Sequence, residues 1–216
     1  MPYKLCLFDL DGTLVDPMLG ITKSFQYALS AFGIHEELEN LTGLIGPPLR
    51  DSLRQYVGIP ESDIEKAVFV YREYYAKQGV YQNELYPEIP QLLDKLVSKG
   101  RILAIVTNKP SVYAEQVVEH MGLDKYFTLV NGDELDGSLT RYGKREIIRM
   151  ALDALDPERD MSSVVIGDRS QDVNGARDNG IDSIGVTWGY GSRAELEEAG
   201  ATFIVSSPDD LKRLIC

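Results

Sequence analysis

The chain has 216 residues, with 22 Lys and Arg against 34 Asp and Glu, for a net charge of −12. At roughly 100–200 residues per domain this is one large domain, or one domain carrying a smaller insert. Hydrophobic residues make up 44% and charged residues 26%, an ordinary globular mixture that argues against extended disorder. The acidic balance excludes non-specific nucleic-acid binding, which needs a basic face, and taken alone also counts against an anionic substrate. The only cysteines, Cys6 and Cys216, sit at opposite ends of the chain, which fits a reducing compartment rather than a disulfide framework. The apolar run Leu5–Phe8 is too short for a signal peptide and ends in acids, and no stretch approaches the ~18 apolar residues of a spanning helix. A cytoplasmic protein with no membrane partner is expected.

Short apolar runs recur along the chain, each closed by polar or Gly-rich residues: Lys4–Phe8, Ile102–Thr107, Phe127–Asn131, Val164–Ile166, Ser183–Val186 and Phe203–Val205. They do not alternate between apolar and polar, as expected of strands buried on both faces of a parallel sheet. Helical patterns lie between them at Pro90–Ser98, Val112–Met121 and Lys144–Leu155, the first two stopping at Gly100 and Gly122. This alternation predicts an α/β fold with a doubly wound parallel sheet. Residues 17–82 break the rhythm with helical patterns at Leu19–Phe32, Pro47–Val57 and Ile64–Gln78 and no strand-like run. They read as a helical insert, with 1–16 and 83–216 as the core, and the cluster Tyr71, Tyr74, Tyr75 reads as packing within it. The insert leaves the core directly after the first strand, where an open α/β sheet binds its ligands, so it is well placed to cover a site.

The strongest chemical signal is Asp9-Leu10-Asp11-Gly12-Thr13 at the end of the first strand. Two carboxylates two residues apart at a buried strand end repel each other and lose solvation, a costly arrangement without a cation. Gly12 permits a sharp turn, and Thr13 offers a hydroxyl and an amide. Asp168 directly ends the strand at Val164–Ile166, while Asp172 opens the next helix, where a cap is the competing reading. Acidic ends of strands in one parallel sheet share an edge, and a set of hard oxygen ligands there suits Mg²⁺. Thr107 and Asn108 end another strand with groups able to donate to a phosphoryl oxygen. Lys144 opens a helix, an unfavourable place for a cation, so it either is simply exposed or has a purpose beyond helix stability.

These elements, in this order, resemble the haloacid dehalogenase superfamily, in its branch of phosphatases with a helical cap after the first strand, similar to phosphoglycolate phosphatases and 5′-nucleotidases. The resemblance implies a Rossmann-like core and a phosphomonoester hydrolase. It implies Asp9 as nucleophile, forming an aspartyl-phosphate, and Asp11 as acid to the leaving oxygen and then base for water. Thr107, Asn108, Lys144 and the turn at Gly12 would bind the phosphoryl group. Mg²⁺ would be held by Asp9, the Asp11 carbonyl and Asp168, with Asp172 in support. Arg145 follows Lys144 where the family often has proline, so Arg141 or Arg145 competes for its role, and Pro17 departs from the small polar residues common at that position. Only 35 residues separate Asn108 from Lys144, too few for the larger cap some family members insert there.

In the insert, Gly46-Pro47-Pro48-Leu49-Arg50 either starts a helix or offers Arg50 to a substrate anion, with Gly46 beside it. Gly189-Tyr190-Gly191 lacks the spacing of a dinucleotide fingerprint. Transfer to a second substrate, as in hexose-phosphate mutases, and a non-catalytic binding module are the alternatives. Dehalogenation is disfavoured by Asp11. The partner expected is a small phosphorylated metabolite, and the chain a monomer or homodimer. The insert carries 6 basic and 8 acidic residues, so most of the net charge belongs to the core. Lys144, Lys109, Arg50 and Arg169 are the local cations available, and a bound Mg²⁺ would supply the positive charge that an anionic substrate needs.

Overall fold

Two series of elements alternate in a computed structural model that describes residues 3–55, 59–139 and 143–216. In chain order they are β1 (Leu5–Phe8), β2 (Val15–Asp16), α1 (Met18–Ser30), α2 (Leu49–Gln55), α3 (Ile64–Lys77), β3 (Glu84–Leu85) and α4 (Ile89–Ser98). There follow β4 (Ile102–Pro110), α5 (Ser111–His120), β5 (Leu129–Asp133), α6 (Arg145–Leu155), β6 (Ser163–Gly167), α7 (Ser170–Asp178), β7 (Asp182–Val186), α8 (Arg193–Ala199), β8 (Phe203–Val205) and α9 (Pro208–Ile215). The strands form a six-stranded sheet in the order β5-β4-β1-β6-β7-β8, and β2 pairs with β3 in a second, two-stranded sheet. Among the described residues, the neighbouring strands of the large sheet pair in parallel. The expected α/β fold with a doubly wound parallel sheet is what the chain adopts.

The chain divides into two compact units, Met1–Asp16 with Leu85–Cys216, and Pro17–Glu84. In the first, β1 lies centrally, with Phe8 in register with Ile105 of β4 on one side and Ile166 of β6 on the other. Its four residues are all fully buried, which explains why they are uniformly apolar. Leu5 and Leu7 pack with Ala104, Val106 and Val165 of the flanking strands against Ile147, Ile148, Ala151 and Leu152 of α6. An Ile148→Ala protein is therefore expected to lose about 2–5 kcal/mol of stability, measured as a lower urea midpoint at unchanged slope. A loss below 1 kcal/mol (roughly a conservative surface change) would show that α6 is not part of this core.

In the second unit, Phe25 of α1 meets Tyr71 of α3 edge-on at 4.9 Å, Tyr71 stacks on Tyr75 at 5.7 Å, and Tyr27 meets Tyr74 at 5.5 Å. The tyrosine cluster is packing, as expected. No residue described between 17 and 82 is in a strand. Residues Leu38–Leu44 form a 3₁₀ turn series that apolar periodicity did not suggest, and α2 begins at Leu49 rather than Pro47. Val57, the expected end of that helix, lies outside the described residues. Among the described residues, no helix is long and apolar enough to cross a membrane.

One strand is displaced from its expected position. The run Phe127–Asn131 was expected, whereas β5 spans Leu129–Asp133. Phe127 instead turns its ring edge toward Phe8 at 6.1 Å, and the Thr128 amide donates to the Leu103 carbonyl at 2.9 Å. Its hydrophobicity serves a core contact beside the strand. Both cysteines are free thiols, Cys6 buried and Cys216 exposed.

Candidate active site

The carboxyl ends of β1, β4 and β6 bring acidic and basic groups together within the first unit. Asp9 directly follows β1, where its amide donates to the Ile166 carbonyl of β6 at 2.8 Å. This continues the ladder one residue past the strand and fixes the backbone on which the carboxylate stands. One carboxylate oxygen, Oδ1, accepts from the Leu10 amide at 2.7 Å and lies 2.8 Å from Lys144 Nζ. Lys144 caps α6 and is almost fully buried, with its ammonium also bonded to Asp172. An ammonium at a helix N-terminus is unfavourable by itself, and two carboxylates supply the reason it is there. Burial works against its charge, but Asp172 and Asp9 outweigh it and hold the Lys144 pKa above its ordinary value. Arg145 is exposed, and Arg141 lies outside the described residues.

Asp168 follows β6 and is buried. The Tyr190 amide donates to its Oδ2 at 2.8 Å, while Oδ1 is buried with no hydrogen-bond partner. Burial, reinforced by Asp9 and Asp172, pushes its pKa up to about 8. Asp172 lies in the first turn of α7, where its Oδ2 accepts from the Arg169 amide at 3.1 Å. It thus caps the helix and binds Lys144 at once, so the capping reading holds. Burial raises its pKa to about 6, with Lys144 pulling the other way.

Oxygens of Asp9, Asp168 and Asp172 all lie within 4.8 Å of one another. Three carboxylates against one ammonium leave a negative excess in a buried place, and Asp168 Oδ1 has no partner among the described protein groups. Hard oxygen donors with uncompensated charge and a free lone pair fit a small divalent cation. The cradle is built closely: Gly12, at φ +81, faces the Asp168 carboxylate with no room for a Cβ, and Gly167 likewise faces Asp172. A methyl group at either position would displace a carboxylate.

Asp11 is held apart from this set. Both its oxygens contact Lys109 Nζ, at 2.7 and 2.6 Å. Burial and the neighbouring Asp9 raise the Asp11 pKa, with Lys109 opposing them. Thr107 is buried within β4, which runs on to Pro110, and its Oγ1 accepts from the Lys109 amide at 3.3 Å. The Asn108 side-chain Nδ2 donates to Gln171 Oε1 of α7, leaving Asn108 Oδ1 buried without a partner. Thr13, in the turn after Gly12, is also buried with its hydroxyl unpartnered, and its carbonyl accepts from Trp188 Nε1 at 3.1 Å.

The segment 188–191 shapes the site although no chemical motif announced it. Gly189 and Gly191 both face Asp168 with no space for a side chain, which brings the Tyr190 amide onto the carboxylate. The Tyr190 hydroxyl donates to Asp16. The available signal was the paired glycines after a strand, which mark close backbone approach rather than a nucleotide fingerprint.

In the second unit, Gly46 adopts φ +108 and Arg50 gives its guanidinium to Glu65, with Nε at 2.6 Å and a second nitrogen at 3.0 Å. Arg169 pairs with Glu195 at 3.0 Å.

A sequence model of the haloacid dehalogenase-like hydrolases matches residues 6–186. A 5′-nucleotidase from Pseudomonas aeruginosa is 44% identical over 90% of this chain and 87% of its own length. The tyrosine-protein kinase PtkA of Mycobacterium tuberculosis is 38% identical over 94% of this chain and 68% of its own. A solved structure of a phosphatase candidate from Clostridium difficile superimposes with a TM-score of 0.92 at 42% identity, covering all of both chains.

Proposed function

Because the chain belongs to the haloacid dehalogenase-like hydrolases and is a phosphatase, we propose that it hydrolyses small phosphate monoesters through a phosphoryl group carried on Asp9. The observation that carries the reading is the Asp9 carboxylate, buried at the end of β1 with a buried ammonium 2.8 Å away and an acidic, cation-shaped cluster beside it. A carboxylate nucleophile splits one difficult displacement into two easier ones. Catalysis of phosphoryl transfer is otherwise positioning and charge neutralisation.

Each residue then has a part. Asp9 Oδ2, the oxygen not committed to Lys144 and the Leu10 amide, attacks phosphorus in line with the leaving oxygen. Lys144 neutralises charge on Asp9 and on the incoming phosphoryl group. Thr107, Asn108 and Thr13 donate to the phosphoryl oxygens from their side chains, while the Gly12 amide stays bonded to the Val15 carbonyl at 2.8 Å and shapes the turn. Asp11 protonates the departing alkoxide, then takes a proton from the water that attacks the phospho-Asp9 phosphorus. Asp9, Asp168, Asp172 and the Asp11 carbonyl would hold Mg²⁺, which supplies Lewis-acid charge to the phosphoryl oxygens when bound.

The ester favoured is a nucleoside 5′-monophosphate, on the strength of the 44% identical 5′-nucleotidase, with phosphoglycolate-like acids as the nearest competitors. The kinase among the relatives favours a second reading, in which a protein hydroxyl rather than water accepts the phosphoryl group. A panel of nucleotides, sugar phosphates and phosphoglycolate, with and without Mg²⁺, decides between them. Inorganic phosphate released in step with ester consumed supports hydrolysis. With a protein substrate added to the panel, phosphate on a hydroxyl of that protein without free phosphate supports the second reading, and no Mg²⁺-dependent turnover of any ester overturns both.

The metal assignment also has a pH signature. Asp168 has its folded pKa near 8, above the ordinary value of 3.8. The metal-free folded protein therefore keeps a proton that the unfolded chain releases, and stability falls as pH rises across that window. Mg²⁺ replaces that proton, so its binding tightens over the same range. The rise in Tm on adding Mg²⁺ is expected to be larger at about pH 8 than at about pH 6. An equal or smaller rise at the higher pH would remove Asp168 from the metal site.

A further inference from the structure

We propose that Lys109 is a positioning residue for Asp11, holding the leaving-group acid in place by contact with both its carboxylate oxygens. The proposal rests on Asp11 being that acid, and adds the group that fixes it.

Lysine is rarely buried unless paired, and the Lys109 side chain is 5% exposed, with its Nζ 2.7 Å from Asp11 Oδ1 and 2.6 Å from Oδ2. Its place follows from the strand. Lys109 lies two residues after Thr107, next to last in β4. The β4–β5 register shifts between Val106 and Pro110. At that shift Gly132 of β5 lies against the Lys109 carbonyl with no room for a Cβ, and its amide donates to Ser111 Oγ at 3.0 Å. The Lys109 amide donates to Thr107 Oγ1. The lysine is thus seated by its backbone on both sides, and the stem delivers the ammonium to Asp11.

The two buried ammoniums divide the carboxylates between them. Lys144 bonds Asp9 and Asp172, while Lys109 bonds Asp11. An aspartate next to a sharp turn has several rotamers open to it. Lys109 selects the one that keeps the acid near the leaving oxygen and off the Asp9–Lys144 pair. Without Lys109, Asp11 is still present but is no longer held.

Leaving groups separate this role from simple charge or phosphate binding. An alkyl ester needs its alkoxide protonated as it departs, whereas p-nitrophenolate leaves without a proton. The steps up to phosphoryl transfer are read by kcat/KM, so the comparison is between glycerol 2-phosphate and p-nitrophenyl phosphate at saturating Mg²⁺.

Lys109→Met is expected to lower kcat/KM for the alkyl ester by roughly 10²-fold and for the aryl ester by less than about tenfold. Asp11→Asn is expected to show the same selectivity more strongly. Lys109→Arg, which keeps the cation and the fold, is expected to recover part of the alkyl activity, and it carries the test should Lys109→Met not fold. Selective loss with Asp11→Asn but equal loss on both esters with the Lys109 variants overturns the positioning role and leaves the phosphatase reading intact. An equal rise in KM for both esters, marking Lys109 as a phosphate contact, overturns it too, as does unchanged kinetics. Loss of selectivity in Asp11→Asn itself overturns the acid assignment and the proposal with it.

Discussion

Replacing Asp9 with asparagine is expected to leave a folded protein whose kcat/KM for phosphate esters is lower by roughly 10⁴–10⁶-fold. The amide keeps the shape of the carboxylate, and its oxygen can still accept from the Leu10 amide and from Lys144, which lie 2.7 and 2.8 Å from Asp9 Oδ1. The backbone bond from the Asp9 amide to Ile166 is untouched. What disappears is the anionic oxygen that attacks phosphorus. Uncatalysed phosphate monoester hydrolysis is so slow that enzymes supply up to ~10²¹-fold, so the residual rate has no easy substitute. Steady-state kinetics with a thermal melt on the same sample checks both halves. A well-folded variant retaining activity within about tenfold would remove Asp9 as nucleophile.

The second large effect is expected at Lys144. Lys144→Met removes the ammonium between Asp9 and Asp172 and leaves two buried carboxylates facing each other with no cation between them. Breaking one side of a buried ion pair costs about 3–5 kcal/mol. Losing a preorganised charge at the transferring group costs about 10²–10³ in kcat. Both losses are expected together, the first as a lower urea midpoint. Mg²⁺ should return part of the stability by neutralising the same carboxylates, but not the rate. Arg145→Met is the control, because Arg145 is exposed at the next position. It is expected to stay within about 0.5 kcal/mol of the parent. Full activity in Lys144→Met, or a larger loss in Arg145→Met, would move the role away from Lys144.

The buried sheet and the carboxylates at its strand ends were legible because burial and charge leave marks on composition. Strands covered on both faces must be apolar throughout, as Leu5–Phe8 and Val164–Ile166 are, and an acid directly after such a run has few structural excuses. Phe127 misled because a core contact beside a strand looks like the strand itself. The helices after β7 and β8 went unread although Ser192 and Ser207 carry the cap signature, with Glu195 and Asp210 three residues on. Lys109 was visible only as a local cation. Its pairing with Asp11 depends on a register shift and on a glycine in the neighbouring strand, neither of which a single stretch of sequence displays. Tyr190 was harder still, since it serves Asp168 through its amide, and a backbone donor has no residue type. The net charge changes meaning in the same way. The core's acidic excess includes the carboxylates gathered at the strand ends, where two buried ammoniums partly offset them and a divalent cation fits.

A covalent intermediate on Asp9 is the central claim, and the stereochemical course at phosphorus tests it most directly. An ester made chiral at phosphorus with oxygen isotopes would be hydrolysed and the configuration of the released phosphate determined. Two successive in-line displacements, first by Asp9 and then by water, each invert the centre, so net retention is predicted. Net inversion would mean that water attacks the ester directly, and would contradict the account.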